Sequence, residues 1–279
     1  MKFEKSQAFF VISNFNTDPY EIANYSENFI IYDQSNTQIR VELESRRDER
    51  IIFADHVGHN LKDYLDYIIE NYDDLPPLVA FVKGNIIGRH INKEQWLKIY
   101  RNKYYTFLYS DYALRDIKNV QLSTFLGDFC EINTSWYAWH SSHRYFINFN
   151  DFLNFIYIKP IIPQYVQFSP GGCYIVEKER IIKNPKSLYI GLRKIISYQF
   201  FPSEAWLLER FLHTLFTSNY DLHPYVLDEE EFLNKIDGLP DLTNVVQPMK
   251  SKLSLSIKRI KFKLIKLHLD LLISAKNWK

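Results

Sequence analysis

Largely apolar runs alternate with an amphipathic segment along the first part of the chain. The runs are five or six residues long, which is typical of buried strands, and they lie at 8–13, 28–32, 50–54 and 78–82. Between 60 and 72 the apolar residues recur at spacings of three and four, which predicts an amphipathic helix. Strands that alternate with helices indicate an α/β fold with a mainly parallel, layered sheet.

The pattern is weaker from 101 to 147, where Tyr, Ser, His and Asn are mixed without a sustained period. We interpret this stretch as loops with short strands, and a long irregular region inside a domain is often functional. Strands are predicted at 164–168 and 173–176, on either side of a Ser-Pro-Gly-Gly turn. Helices are predicted at 186–198, 203–216 and 228–236.

Composition narrows the class of protein. With 279 residues, 46% of them hydrophobic, the chain can bury a large core, which excludes a disordered protein. Cys130 and Cys173 are too few for a disulfide framework or a thiolate zinc site, so we expect reduced thiols in a cytoplasmic protein. The pattern at the N-terminus is not that of a signal peptide, and no window has the apolar length of a membrane span.

The net charge of +1 hides an uneven distribution. Residues 251–279 hold eight Lys or Arg and one acid, a charge of +7, so the other 250 residues carry −6 and are not expected to bind nucleic acid. On a helix, Ile257, Ile260, Leu264, Leu267 and Leu271 form one stripe of this basic tail. Such a helix suits an anionic membrane surface, here the inner face of the plasma membrane, or packs on the body or on a partner protein. Residues 218–250 are expected to form an acidic helical connection to the tail.

Three polar clusters stand at ends of predicted strands, at 14–18, 55–60 and 83–90. Ligands of open α/β sheets bind beyond the carboxyl ends of the strands. Gly58 would let the backbone approach a ligand, and Asn60 would cap the long helix. Lys83 and Arg89 would meet phosphate charge. Together the clusters predict a rim that binds pyrophosphate, although each residue alone also fits an ordinary cap, turn or solvated charge.

The run GHNLKDYLDYIIENYDDLPPLVAFVKG resembles the signature of domain-of-unknown-function family 3431. That signature reads N-x-G-R-E-x-x-x-Y-L, an apolar helix, N-Y-x-x-L-P, and a strand that ends F-x-x-G. The matching positions are Gly58, Asn60, Tyr64, Leu65, Asn71, Tyr72, Leu75, Pro76, Phe81 and Gly84. Residues 167–181, Asn184-Pro185, Tyr189 and the helix 204–216 are similar to the family's closing strand and acidic helix, so the resemblance covers roughly residues 8–217.

The same layout is seen in GT-A-type glycosyltransferases of bacterial capsule and lipopolysaccharide clusters. The resemblance implies a GT-A-like, Rossmann-like catalytic domain over 1–217, with a donor half at about 1–110 and an acceptor half at about 111–217. It implies a hexosyltransferase that moves a sugar from a nucleotide sugar, expected to be UDP-linked, to a surface polysaccharide or lipid-linked glycan.

The donor-binding residues implied are mostly polar or glycine residues of the three clusters. They are Asn14, Asn16, Asp18, Gly58, His59, Asn60, Tyr64, Lys83, Gly84, Asn85, Arg89 and His90. Two departures matter, because Gly58-His59-Asn60 replaces the family's G-R-E and Lys83-Gly84-Asn85 stands where many GT-A enzymes place D-x-D. A cation can neutralise a leaving diphosphate as a metal does, so no metal ligand is predicted and use of a divalent metal is questionable.

An inverting transfer needs a base to deprotonate the acceptor hydroxyl. The first candidate is Glu209, whose position resembles an acidic helix residue of the GT-A pattern; Glu204 and Asp63 are second and third. The alternatives are that Glu204 only favours the helix N-terminus and that Glu209 pairs with Arg210 or Lys194. The residues expected to bind the acceptor are Trp136, Trp139, His140, His143, Gly171 and Gly172.

Two functions are therefore carried forward. The first is a peripheral glycosyltransferase that acts on a growing surface glycan. The alternative is a non-catalytic glycan-binding or scaffold subunit of a polysaccharide synthesis complex, which the lost G-R-E and the missing D-x-D would explain.

Overall fold

The computed structural model describes residues 4–109, 121–123, 129–133 and 143–243. Six strands form the main sheet: β1 (Phe9–Asn14), β2 (Phe29–Asp33), β3 (Ile51–Phe53), β4 (Leu78–Lys83), β5 (Thr106–Phe107) and β9 (Tyr174–Glu177). Their order is β3-β2-β1-β4-β9-β5. The first four strands in that order are parallel, and β9 runs antiparallel to both β4 and β5. The predicted α/β class and mainly parallel sheet are confirmed.

The helices are α1 (Tyr20–Ala23), α2 (Gln38–Arg46), α3 (His59–Glu70), α4 (Ile86–Arg89), α5 (Lys93–Ile99), α6 (Phe149–Ile156), α7 (Lys178–Ile182), α8 (Lys186–Ile196), α9 (Glu204–Thr217), α10 (Pro224–Leu227) and α11 (Glu229–Asp237). The predicted helices at 60–72, 186–198, 203–216 and 228–236 are confirmed as α3, α8, α9 and α11. Helices α2, α5 and α6 were not predicted, and neither were the short helices α4 and α7.

The sheet is covered on both faces, which is why its strands are apolar along their whole length. Side chains alternate along each strand, so Val11 and Phe81 enter a core that contains α3, α8 and α9. Phe10 and Val82 enter a second core with Trp96 of α5. Both cores meet at the same central strands and hold them in register.

A second sheet of three antiparallel strands contains β6 (Gln121–Ser123), β7 (Phe129–Ile132) and β8 (Tyr165–Phe168). Two of these strands lie in the stretch predicted to hold loops and short strands. A buried ion pair between Glu131 of β7 and Arg210 of α9 connects the small sheet to the helical layer. The Arg210 guanidinium also lies 4.5 Å from the centre of the Phe168 ring, so this side of α9 is fixed against the small sheet.

The acidic segment after α9 forms α10 and α11, and Val226, Phe232 and Ile236 bury their side chains in the first core. In the ranges that the structure covers, no helix has the length and apolarity that crossing a bilayer requires. The basic tail at 251–279 lies outside the described residues.

Candidate functional site at the strand ends

The carboxyl ends of β1, β2 and β4 surround a cleft. From β1 the sheet extends to β2 on one side and to β4 on the other, which makes this edge a topological switch point where α/β sheets bind ligands. The cleft has a small chamber of about 210 Å³ and a large chamber of about 430 Å³. They adjoin, because His59, Asn60, Lys83 and Arg89 line both.

Two cations stand where the chambers meet. Lys83 is the last residue of β4, and Arg89 ends the turn α4 that follows. Within the described part of the chain, neither has a carboxylate at ion-pair distance. Burial lowers the pKa of Lys83, because a charged ammonium is poorly solvated there. The junction therefore favours an anionic ligand.

Two histidines add neutral polar groups. Burial, with a smaller effect from Lys83, lowers the pKa of His59 to about 4 and that of His90 to about 3. Both rings are uncharged at neutral pH and can donate or accept a hydrogen bond. His59 Nδ1 lies 2.5 Å from the side-chain oxygen of Asn60, and His90 Nε2 is buried without a hydrogen-bond partner among the described residues.

Two glycines allow this close packing. Gly84 follows β4, and a Cβ there would lie 2.4 Å from Asn14 Oδ1. Gly171 has φ +77°, and a Cβ on it would lie 2.9 Å from both Lys83 Cδ and His90 Nε2. Only glycine fits Gly171 without strain, because the left-handed conformation and the short contacts both oppose a side chain.

The turn at 169–172 connects the helices on either side of the cleft. The Gly171 carbonyl accepts a hydrogen bond from Asn60 Nδ2 of α3 at 2.6 Å. The Gly171 N–H donates to Glu209 Oε1 of α9 at 2.5 Å. Asn60 is thus engaged with the turn and does not cap α3, whose N-cap residue is Gly58. The cap predicted for Asn60 is wrong, whereas its place in the cleft agrees with the prediction.

Glu209 lines the large chamber with its side chain one-fifth exposed. Its second oxygen lies 3.3 Å from Arg210 Nη1, so the pairing with Arg210 weighed from the sequence exists. Burial raises the pKa of Glu209, and the neighbouring Arg210 opposes that shift. A carboxylate with a raised pKa is a stronger base, which suits proton abstraction from a hydroxyl.

The other two candidate catalytic carboxylates do not line the cleft. Glu204 is fully buried and accepts hydrogen bonds from the Tyr145 N–H at 2.7 Å and the Tyr198 hydroxyl at 2.5 Å. Asp63 is fully buried and accepts from the Ser13 hydroxyl at 2.5 Å and from Gln34 Nε2 at 2.7 Å. Burial raises the pKa of Asp63 to about 8. Both carboxylates support neighbouring elements.

The predicted donor-binding residues divide into two groups. The structure brings Asn14, His59, Asn60, Lys83, Asn85, Arg89 and His90 together around the cleft. Asn16, Asp18, Gly58, Tyr64 and Gly84 do not line either chamber. Asn16 binds the β2 loop through Asn36, and the Tyr64 hydroxyl faces the Cys173 thiol at 3.8 Å.

A family model described as protein of unknown function (DUF3431) matches residues 23–226, more than half of the 279-residue chain. The chain belongs to this family. No curated protein and no solved structure matches it.

Three of the six predicted acceptor residues can be placed in this DUF3431 protein. Gly171 lines the large chamber, whereas Gly172 and His143 are buried away from it. His143 Nδ1 lies 3.1 Å from the carbonyl oxygen of Phe146. Trp136, Trp139 and His140 lie outside the described residues.

Sequence reasoning missed the aromatic mouth of the cleft. The rings of Phe15 and Phe200 are 5.2 Å apart beside the small chamber, and those of Phe201 and Trp206 are 5.5 Å apart beside the large one. Phe15 and Phe201 are both 39% exposed. The available signal was the Phe200-Phe201 pair in a predicted loop, where apolar rings have no strand or helix face to bury.

Among the described residues, the cleft of this DUF3431 protein thus has two basic side chains, aromatic walls and one lining carboxylate. Within the residues that the structure describes, no three His, Cys, Asp or Glu side chains come together as a metal site. Lys83 and Arg89 supply positive charge at the chamber junction.

Proposed function

We propose that the protein is a glycosyltransferase that moves a sugar from a nucleotide-sugar donor, UDP-linked, to a polysaccharide or lipid-linked glycan acceptor. One observation carries the proposal: Lys83 and Arg89, which have no carboxylate partner among the described residues, stand where the two chambers of the switch-point cleft meet. A ligand that fills both chambers would place its anionic centre between two less charged ends. A nucleotide sugar has this form, with a diphosphate between a nucleoside and a sugar.

The cations would also serve the reaction. Negative charge develops on the diphosphate as the bond to the sugar breaks, and fixed positive groups in a poorly solvated site stabilise that charge. Lys83, which is partly buried, and Arg89, which is exposed, can supply positive charge here without a D-x-D metal site.

Glu209 is the proposed general base. In an inverting transfer, the acceptor hydroxyl gives its proton to the Glu209 carboxylate while its oxygen bonds to the anomeric carbon and the nucleoside diphosphate leaves. The raised pKa of Glu209 and its place in the large chamber beside Trp206 support this role. The aromatic ring of Trp206 is a surface of the kind that packs on sugar rings.

The parallel order β3-β2-β1-β4, with the cleft at its switch point, supports a GT-A-like layout. A GT-A-like enzyme of capsule or lipopolysaccharide synthesis would meet lipid-linked acceptors at the inner face of the plasma membrane. The basic tail at 251–279 is expected to hold the enzyme there through anionic lipid.

A second candidate is a non-catalytic glycan-binding or scaffold subunit. It is supported by the hydrogen bonds of the carboxylates: Glu209 is already engaged by the Gly171 N–H and Arg210, and Glu204 and Asp63 are buried. Such a protein would bind the ligand without transferring the sugar.

The test measures binding of UDP by calorimetry and transfer or hydrolysis of a panel of UDP-sugars, with and without EDTA. Lys83→Met should weaken UDP binding roughly 100-fold, because a charge-assisted contact to phosphate is lost. Lys93→Met, at an exposed lysine that does not line the cleft, is the matched control and should leave binding unchanged. EDTA should not reduce turnover.

Glu209→Gln separates the two candidates. For an enzyme, turnover should fall by roughly 100-fold or more while UDP binding is retained, since a positioned base contributes about that much. UDP binding without turnover of any UDP-sugar would favour the non-catalytic subunit. Absence of UDP binding by the folded wild-type protein would contradict the proposed function.

A further inference from the structure

Gln34 directly follows β2 and lines the small chamber with only 3% of the residue exposed. Its amide nitrogen donates to Asp63 Oδ1 at 2.7 Å and to the carbonyl oxygen of His59 at 3.0 Å. Exchanging the amide oxygen and nitrogen would set an oxygen against the His59 carbonyl oxygen, which can only accept a hydrogen bond. The surroundings therefore fix which end of the amide is which.

The amide nitrogen of Gln34 thus has its hydrogen-bond partners, and the amide oxygen is left to consider. Gln34 Oε1 is buried and has no hydrogen-bond partner among the described residues. A buried acceptor without a donor costs free energy, and proteins rarely keep one without a reason. Gln34 lines the small chamber, so a small shift of its side chain would present this buried acceptor to a ligand there.

The surroundings of this acceptor indicate the class of ligand. Phe15 and Phe200 also line the small chamber, and aromatic rings suit stacking on a nucleobase. Lys83 and Arg89 lie where the small chamber meets the large one, and Glu209 lines only the large one. The flat, neutral part of the ligand would occupy the small chamber, and its anionic part the junction.

We propose that Gln34 Oε1 accepts a hydrogen bond from the nucleoside of a nucleoside diphosphate, either from an N–H of the base or from a hydroxyl of the ribose. This proposal rests on the proposed function and gives the donor a direction: nucleoside in the small chamber, diphosphate at Lys83 and Arg89, sugar toward Glu209. Gln34 is then a determinant of nucleotide specificity, whereas the two cations bind any diphosphate.

The experiment compares ligands on the full chain by calorimetry. The probes are UDP, N3-methyl-UDP without the base N–H, 2′,3′-dideoxy-UDP without the ribose hydroxyls, and inorganic pyrophosphate. One of the two altered nucleotides should bind roughly 10- to 100-fold more weakly than UDP, because the buried acceptor is left without a donor. Which one loses affinity identifies the source of the hydrogen bond.

Gln34→Met should abolish that difference by weakening UDP binding, and should leave pyrophosphate binding unchanged. Gln95→Met, at a glutamine that lines neither chamber, is the matched control. The ligand series on the wild-type protein stays decisive even if Gln34→Met folds poorly. If UDP binds and both altered nucleotides match it, the role of Gln34 is overturned while the proposed function stands. If pyrophosphate binds and UDP does not, both are overturned.

Discussion

The buried carboxylates and the groups that line the cleft are both strongly polar, but their partners differ. Glu204 and Asp63 each accept two hydrogen bonds from neighbouring protein groups. In the cleft, the side chains of Lys83 and Arg89 have no carboxylate partner, and Gln34 Oε1 has no hydrogen-bond donor, among the described residues. The buried carboxylates therefore have their hydrogen-bond partners within the protein, whereas several polar groups of the cleft do not.

The presence or absence of protein partners distinguishes structural residues from candidate ligand-binding residues better than residue type does. From the sequence we expected a catalytic or binding role for acidic and basic residues alike. The sequence shows the position of these residues along the chain but not their hydrogen-bond partners. Folded proteins satisfy most of their buried polar groups, and a ligand would complete the network where unsatisfied groups also line a cleft, as Gln34 Oε1 and His90 Nε2 do. Other groups that are unsatisfied among the described residues, such as Trp96 Nε1, belong to residues that do not line it. Glu209 lies between the two cases, since it is hydrogen-bonded and still lines the large chamber.

The largest expected effect on stability comes from substituting one of the buried carboxylates, Glu204. Glu204→Ala should lower the free energy of unfolding by about 4 kcal/mol, because it leaves the Tyr145 N–H and the Tyr198 hydroxyl without their acceptor and opens a cavity. Urea unfolding followed by circular dichroism measures the loss. Glu27→Ala, at an exposed glutamate, is the control and should cost little. An equally small loss for Glu204→Ala would show that this carboxylate is not a structural support.

The next effect is a pH dependence of stability that originates in Asp63. Burial raises the pKa of this carboxyl to about 8 in the folded protein, whereas an unfolded Asp has a pKa of about 3.9. Between these values the folded state binds the extra proton, so stability falls as pH rises. From pH 5.5 to 7.5 the Asp63 contribution should fall by about 3 kcal/mol.

Asp63→Asn should remove this contribution, because an amide keeps an acceptor for Gln34 and a polar group for Ser13 but does not titrate. The measurement is the unfolding free energy of both proteins at several pH values, compared by difference. Asp73→Asn, at an exposed acid, should leave the slope unchanged. A slope that Asp63→Asn does not alter would mean that Asp63 is ionised throughout this range.

The fold was largely predictable because burial on both faces of the sheet leaves apolar runs in the sequence. Strands β1, β2 and β4 lie within a residue of those runs. Helices α2 and α5 escaped because they are short and lack a long apolar period, whereas α6 was missed although its apolar residues at 149, 152, 153 and 156 have helical spacing. Two carry a local signal, since Asn92 and Asn148 accept hydrogen bonds from the first turns of α5 and α6.

The site was only partly predictable. The rule about strand ends brought Asn14, Lys83 and Arg89 to one edge, as the structure confirms. It could not show that Asp63 turns toward Ser13 and Gln34, because side-chain direction depends on contacts between elements far apart in the chain. For the same reason the unpaired amide oxygen of Gln34 was not visible in the sequence, whereas the Phe200-Phe201 pair was an available signal of the aromatic mouth.

The smallest expected effect concerns the stability of the unsatisfied region itself. A partly buried ammonium costs folding free energy when it has no ion-pair partner, as for Lys83 among the described residues, so Lys83→Met should raise the free energy of unfolding of the ligand-free protein by about 1 kcal/mol. Lys93→Met should leave it unchanged, because that lysine is exposed. Added UDP should stabilise the wild-type protein and the Lys93 variant but not Lys83→Met, since stabilisation by a ligand follows its affinity. If Lys83→Met were instead less stable than the wild-type protein, Lys83 would be a structural residue like Glu204 and Asp63. The distinction between the buried carboxylates and the cleft residues would then not hold for Lys83, on which it chiefly depends.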